Sequence, residues 1–287
     1  MKSVRFKQVD VFTRVPFRGN PVAVILEGDG LATADMQRIA AWTNLSETTF
    51  VLQPSSSDAD YRLRIFTPRS ELPFAGHPTI GSAHAVLEAG IVKPKSGKLR
   101  QECGVGILEL QLDGETLWLE SPPATDTPLA KFDLEDLEKS LKSKVQGTPC
   151  IINVGPRWLV AKLSDANAVA ALDPDMQILC SMSNRLSIGG VTVYGDSGDG
   201  ESAIHVRSFA PAHGIAEDPV CGSGNISVAA YLMKTGQAAR VGSRYTARQG
   251  MQLGRDGRVS VRIEGGKIFR GGSAVTCIEG SLRLPAG

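Results

Sequence analysis

The chain is poor in the residues that define several large functional classes. Its 287 residues include four histidines and five cysteines. None of them stands in a Cys-x-x-Cys or His-x-x-x-His spacing, so a metal site has little support. The cysteines, at positions 103, 150, 180, 221 and 277, are odd in number and scattered. That argues against a disulfide framework and for a reducing, cytoplasmic compartment. Aromatic residues make up 6% of the chain and are not interleaved with basic ones. The formal net charge is +1 and no basic block occurs, which argues against a nucleic-acid partner. No apolar run approaches the roughly 18 residues of a membrane helix, so no membrane association is expected. Residues 1–12 alternate charged with apolar side chains and read as a first strand rather than a signal peptide. Walker and Gly-x-Gly-x-x-Gly patterns are also missing. With 42% hydrophobic and 21% charged residues, the remainder reads as a soluble globular protein.

What is present is a motif that occurs twice. Arg64-Ile-Phe-Thr-Pro68 leads to Glu71-Leu-Pro-Phe-Ala-Gly-His-Pro-Thr-Ile80, and Arg207-Ser-Phe-Ala-Pro211 leads to Glu217-Asp-Pro-Val-Cys-Gly-Ser-Gly-Asn-Ile226. Glu71 and Glu217 are 146 residues apart, as are Gly90 and Gly236, which close the stretch that follows each motif. Pro73/Pro219, Gly76/Gly222, Ile80/Ile226 and Ala83/Ala229 match at the same offset. A repeat about half the chain long implies two similar lobes, not a solenoid. It also implies two helix N-termini suited to holding an anionic, carboxylate-bearing small molecule.

Hydrophobic periodicity predicts strands at 3–13, 22–26, 49–52 and 61–66, with a helix over 33–42. A first motif helix over 79–89 carries small residues, Gly81, Ser82, Ala83 and Ala85, and is thin enough to sit inside a curved sheet. Residues 107–119 form a hairpin around Asp113-Gly114. Ser121-Pro-Pro-Ala-Thr-Asp-Thr-Pro128 is a linker by composition. It separates a lobe of residues 1–120, joined by a strand from about 273–287, from a second lobe of residues 129–272. The second lobe is expected to hold helices near 134–143, 165–172 and 224–235, and strands near 150–154, 158–163, 190–194, 203–209, 244–249 and 258–264. Many strands, few helices and short connections predict an α+β protein with mostly antiparallel sheet.

The residues able to do chemistry cluster at the motifs. In Gly76-His77-Pro78, Gly76 allows close backbone approach to a ligand and Pro78 suits the first helical position. His77 is equally readable as a proton shuttle or as a helix cap. In Cys221-Gly-Ser-Gly-Asn225, Gly222 and Gly224 permit a nest of amides and Ser223 adds a hydroxyl. Cys221 has Ala75 as its counterpart, so the motif pair offers one thiol, not two. Asp218 either accepts from a substrate group or favours the helix start electrostatically. Glu47 lies in Asn44-Leu-Ser-Glu-Thr-Thr49. By its residues alone it reads as a surface Glu, although desolvation would make it a usable acid or base.

Together, Gly19-Asn-Pro21, Asn44-Leu-Ser-Glu-Thr-Thr-Phe50, Ile65-Phe-Thr-Pro68, Glu71-Leu-Pro-Phe-Ala-Gly-His-Pro78 and Glu217-Asp-Pro-Val-Cys-Gly-Ser-Gly224 resemble the PhzF-like isomerases of phenazine biosynthesis. The resemblance runs from about residue 9 to the C-terminus. It implies the diaminopimelate epimerase-like fold: two pseudo-symmetric lobes, each a mostly antiparallel sheet around a central helix, with the site between them. It implies that Glu47 is the acid/base, that His77, Asp218 and Ser223 line the site with Asn20, and that Gly76, Gly222 and Gly224 present backbone to the substrate. It also implies catalysis without metal or organic cofactor, and a homodimer. Related epimerases use two cysteines. Here Cys221 matches one and Ala75 replaces the other, so Glu47 alone is preferred and a Glu47/Cys221 pair stays open. The reading is a cofactor-independent isomerase of a small carboxylate. The rivals are an amino-acid or imino-acid epimerase or racemase, and a non-catalytic anion-binding protein.

Overall fold

The structure, a computed structural model, describes residues 2–284. The chain divides into two compact units. Unit 1 runs to Leu119 and resumes at Gly271; unit 2 is Glu120–Arg270.

Unit 1 contains β1 (Lys2–Val11), β2 (Asn20–Ile25), α1 (Thr33–Thr43), β3 (Thr48–Leu52), β4 (Tyr61–Phe66), β5 (Glu71–Leu72), α2 (Gly76–Glu88), β6 (Lys98–Cys103), β7 (Gly106–Asp113) and β8 (Thr116–Glu120). The strand Ala274–Leu284, at the C-terminal end of the described chain, pairs antiparallel with β1. β1–β2, β3–β4, β4–β5, β6–β7 and β7–β8 are antiparallel too. The two parallel pairs, β2–β3 and β4–β6, are those separated by α1 and α2, because a parallel return needs a crossover.

Unit 2 repeats the plan. Its elements are β9 (Thr125–Pro128), α3 (Lys131–Leu141), β10 (Gln146–Asn153), β11 (Arg157–Lys162), α4 (Ala166–Ala170), α5 (Met176–Leu186), β12 (Gly190–Asp196), β13 (Ile204–Ala210), β14 (Ile215–Asp218), α6 (Gly222–Lys234), α7 (Ala238–Val241), β15 (Arg244–Gln249), β16 (Gly257–Glu264) and β17 (Lys267–Gly272). β11–β12 and β13–β15 are again the parallel pairs, spanned by α4–α5 and by α6. β9 lies antiparallel to β10 as the C-terminal strand lies against β1.

α2 and α6 are both 13 residues long and start and end 146 positions apart. Each is buried along nearly its whole length, because small side chains let the sheet close around it. Gly81 shows the constraint. A Cβ there would lie 2.5 Å from Val22 Cγ1 and 2.8 Å from Val11 Cγ2. Under α1, Ile25, Met36, Ala40, Phe50 and Phe66 form a core, with Phe50 and Phe66 edge to face at 5.5 Å. In unit 2, Leu137, Leu159, Val169, Leu179, Val193 and Phe209 form its counterpart.

Several local expectations change. Both motif helices begin earlier, at Gly76 and Gly222, so Pro78 is the third helical residue. It still sits in the first turn, where a missing N–H costs no helical bond. The 121–128 linker is in part a strand: Thr125–Pro128 is exposed at every residue and held by backbone pairing to β10, so burial patterning could not reveal it. β6, β17 and α5 have no counterpart in the sequence-based reading. Among the described residues, no helix is long and apolar enough to cross a membrane.

Candidate active site

The repeated Arg and Glu of the motif are structural. Arg64 forks onto Glu71 through Nε and Nη2, each at 2.7 Å, and its guanidinium lies 5.1 Å from the Phe66 ring centroid. Arg207 does the same with Glu217, at 2.9 and 2.8 Å, and lies 4.9 Å from the Phe209 ring centroid. Arg-x-Phe on a strand places both side chains on one face, so the ring carries the guanidinium that anchors the motif loop. The second pair is buried, at 6% exposure on each side, whereas the first is at 19% and 39%.

In unit 1 three segments meet at one end of the sheet. β2 and β3 are parallel, so the segments entering them, 12–19 and 44–47, lie at the same end. The start of α2 joins them through a hydrogen bond between His77 and the Pro21 backbone. Asn44 ends α1 in the left-handed region, at φ 54°, which Asn tolerates. The chain then turns into β3, and the Glu47 carbonyl accepts from Ala23 N at 3.4 Å. Thr48 bonds Thr43 (2.7 Å) and Thr49 bonds Ser82 on α2 (2.8 Å), fixing the strand on either side of the turn. Glu47 Oε2 thereby lies 3.5 Å from His77 Nε2, with side-chain exposures of 15% and 9%.

The protonation of His77 follows from its partners. Proline has no backbone N–H, so the bond to Pro21 runs from the imidazole to the Pro21 carbonyl. Nε2 makes no hydrogen bond, which leaves Nδ1 as the donor. The lone pair on Nε2 therefore faces Glu47 Oε2. Burial pushes the imidazole pKa down to about 4 against the opposing pull of the Pro21 bond, so His77 is neutral at physiological pH. Asn20 is buried at the first position of β2, opposite Val11.

In unit 2 the second motif builds a polar nest. Cys221 is the N-cap of α6, its Sγ accepting from Gly224 N at 3.3 Å. Asn225 Nδ2 donates to the Cys221 carbonyl and to Gln249 Oε1, both at 2.9 Å, and Gln249 Nε2 donates to the Asp218 carbonyl at 2.9 Å. A Cβ on Gly224 would lie 2.6 Å from Ser208 Oγ and 2.8 Å from Thr192 Oγ1, so only glycine fits against β12 and β13. Ser223 Oγ accepts from Trp158 Nε1 at 3.0 Å. An indole has no acceptor to offer, so the Ser223 proton is directed elsewhere, and Cys221 Sγ lies 3.5 Å away. Burial raises the Asp218 carboxyl to about 6, against the bond that it accepts from Val220 N. Burial also pushes the Cys221 thiol up, Asp218 adding to the effect, so the thiolate is disfavoured.

The chain matches the phenazine biosynthesis-like protein family, PhzC-PhzF, over residues 9–280. It belongs to this family. The chain is 43% identical to a Schizosaccharomyces pombe protein called antisense-enhancing sequence 1, over 96% of this chain and 97% of that one. It is 33% identical to trans-2,3-dihydro-3-hydroxyanthranilate isomerase of Pseudomonas chlororaphis, over 96% and 98%. The crystal structure of a PhzF-family phenazine biosynthesis protein from Bacillus anthracis superposes with a TM-score of 0.87 at 27% identity, covering 99% of this chain and all of that one. The fold is α+β, of the diaminopimelate epimerase type.

This PhzF-family chain thus brings Glu47 and His77 together in unit 1, at the end where Asn20 and Gly76 stand. In unit 2 it groups Asp218, Cys221, Gly222, Ser223 and Gly224. Two residues carry no sequence signal. Trp158 sits in a plain strand pattern. Arg270 is a buried arginine whose pKa falls to about 10 through desolvation, partly offset by the nearby Cys221 thiolate form. His84 and His205 bond Thr276 (3.3 Å) and the Ala166 carbonyl (3.2 Å), as structural histidines do. A groove of about 350 Å³ at the far end of α6 is lined by Pro122, Met233, Lys234 and Lys267 and touches no candidate residue. Asp126 and Glu120 neutralise its lysines. Among the described residues, no three His, Cys, Asp or Glu side chains gather as metal ligands.

Proposed function

We propose that the chain is a cofactor-independent isomerase that moves a proton between carbons of a small carboxylate-bearing substrate, with Glu47 as the acid and base. The observation that carries this reading is the contact of partly buried Glu47 with buried His77 at 3.5 Å. The substrate class follows the name of the Pseudomonas relative, trans-2,3-dihydro-3-hydroxyanthranilate isomerase.

In this mechanism the Glu47 carboxylate takes a proton from a carbon acidified by a neighbouring π-system. In its acid form Glu47 finds an acceptor in Nε2, which keeps the carboxyl oriented while the electrons shift along the π-system. The proton then returns to a different carbon on the same face. Helix-start amides at Gly76 stabilise charge on the substrate carboxylate. Asp218, with a carboxyl near 6, accepts from a substrate hydroxyl or amine.

Cys221 fits this scheme as the cap of α6, and Ala75 caps α2 without a side-chain bond. A two-thiol racemisation has no second thiol at that position. We further propose, from its scattered cysteines and balanced charge, a cytoplasmic protein without a nucleic-acid partner and, from the family resemblance, a homodimer; light scattering tests the dimer. The test of the reaction is turnover of trans-2,3-dihydro-3-hydroxyanthranilate by the wild type and Glu47→Gln. The variant should lose ~10²–10⁴-fold in turnover. Wild-type rates in the variant would remove Glu47 from the mechanism.

A further inference from the structure

Gln249 is the last residue of β15, at an inward position that it shares by alternation with Tyr245 and Ala247, and it is fully buried. A buried amide is costly unless its polar groups are bonded. Here they serve one loop. Nε2 donates to the Asp218 carbonyl and Oε1 accepts from Asn225 Nδ2, each at 2.9 Å, and Asn225 Nδ2 also donates to the Cys221 carbonyl.

The turn that follows Gln249 grips the two residues in between. Gly250, at φ 97°, lies so close to Pro219 that a Cβ would come 2.4 Å from the proline carbonyl oxygen. Gly257, opposite Gln249 on β16, lies where a Cβ would come 2.3 Å from Val220 Cγ2. The turn is itself held. The Gly250 carbonyl accepts from Leu253 N at 2.9 Å and from Arg255 N at 3.0 Å, and Arg248 Nε bonds Asp256 Oδ1 at 2.7 Å. Asp218, Pro219, Val220 and Cys221 are thus each fixed by β15, by the turn or by Asn225.

The first copy of the motif has the turn contact without the amide pair. Gly104 and Pro73 stand 146 positions before Gly250 and Pro219, and a Cβ on Gly104 would come 2.7 Å from Pro73 Cα. The glycine-on-proline contact therefore belongs to the fold. At the same offset Cys103 matches Gln249, Thr79 matches Asn225 and Leu72 matches Asp218. Thr79 is bonded by Gln101, which joins it to Tyr61 rather than to the motif loop. The copy that carries the carboxylate is the copy whose loop is held by the amide pair.

We propose that Gln249 is the positioning residue for Asp218, its amide holding the Asp218 carbonyl against β15 so that the carboxyl meets a substrate hydroxyl or amine in one fixed geometry. This rests on the proposed isomerase reading and adds the residue that sets the Asp218 geometry. The other titratable groups around Asp218 do not depend on Gln249: Glu217 is paired with Arg207, Cys221 bonds the Asp218 carboxyl, and Arg270 lies near Cys221.

The test uses the full chain with Gln249→Met, which keeps the volume and removes both bonds, with Asp218→Asn, with the double variant and with Gln249→Glu. The Asp218 carboxyl is titrated by carbon NMR without substrate, Asp218→Asn assigning the resonance, and kcat/KM is measured on trans-2,3-dihydro-3-hydroxyanthranilate. In the wild type, burial holds the carboxyl at about 6. Gln249→Met should lower that midpoint toward the ordinary aspartate value of about 4, as the freed loop lets water reach the carboxyl. It should lower kcat/KM about tenfold in the wild-type background and less than about twofold in Asp218→Asn, where no carboxylate is left to position. Burial keeps the carboxyl introduced by Gln249→Glu protonated near about pH 6, where it donates to the Asp218 carbonyl as the amide does, and ionisation ends that donation. Gln249→Glu should therefore stay within about threefold of the wild type at about pH 6 and fall about tenfold behind it at about pH 9. A midpoint still near 6 in folded Gln249→Met overturns the inference. So do equal losses in the two backgrounds, which mark a merely structural role. Should Gln249→Met not fold, Gln249→Glu decides, and equality with the wild type at both pH values overturns the inference. If the wild type does not turn over this substrate, the isomerase reading fails while the titration without substrate still judges Gln249.

Discussion

Replacing His77 by Gln removes a titrating group that the fold keeps neutral, and its effect on stability depends on pH in a calculable way. An unfolded histidine titrates near 6.5, whereas burial holds His77 at about 4. The folded state therefore resists the proton that the unfolded state accepts. Stability tied to neutral His77 is complete above about pH 6.5 and is lost as pH falls toward 4. At 1.36 kcal/mol per pKa unit the full difference is about 3 kcal/mol, of which about 2 kcal/mol is already lost at pH 5. Gln at this position keeps a donor for the Pro21 carbonyl but cannot titrate. The assay is urea unfolding of wild type and His77→Gln at about pH 7.5 and about pH 5. The wild type should lose about 2 kcal/mol relative to the variant between the two conditions. The imidazole Cε1–H resonance should titrate with a midpoint near 4. A pH-independent difference between the proteins, or a midpoint near 6.5, would refute the burial argument.

Three other perturbations separate structure from chemistry. Arg207→Met leaves Glu217 buried without its partner and should destabilise by about 3–5 kcal/mol in chemical unfolding, whereas Arg64→Met, at the more exposed copy, should cost about 1 kcal/mol or less. Cys221→Ala removes the acceptor for Gly224 N and should cost about 1 kcal/mol, while Cys221→Ser keeps the cap and should hold turnover within about threefold; a loss above ~10²-fold in Cys221→Ser would support thiol chemistry. The Asp218 carboxyl, raised to about 6, should give kcat/KM a limb that rises with pH through that value. Asp218→Asn should abolish the limb, and its persistence in the variant would assign it to another group.

The repeat made α2, α6 and the two-fold plan readable because the same backbone problem is solved twice with small residues and glycine. Where polar residues take core positions, the pattern fails. β6 alternates properly, but one of its inward residues is Gln101, fully buried between the Tyr61 hydroxyl (2.9 Å) and Thr79 Oγ1 (3.2 Å). α5 buries Leu179, Met182 and Ser183 among polar neighbours, and its start is set by the Asp175 side chain bonding Gln177 N and Ile178 N. The candidate residues were legible one at a time. Their pairing was not, because Glu47 and His77 meet through strand order, and the tautomer of His77 depends on a carbonyl that any residue at position 21 would carry. That the donor must be the imidazole follows only because residue 21 is proline.

The most direct test of the account is isomerisation of trans-2,3-dihydro-3-hydroxyanthranilate in D₂O, followed by mass spectrometry, with wild type and Glu47→Gln. The account predicts that the wild type isomerises the substrate with solvent deuterium entering carbon as Glu47 exchanges its proton, and that Glu47→Gln does neither at more than about 1% of that rate. Isomerisation and deuterium entry at wild-type rates in Glu47→Gln would contradict it.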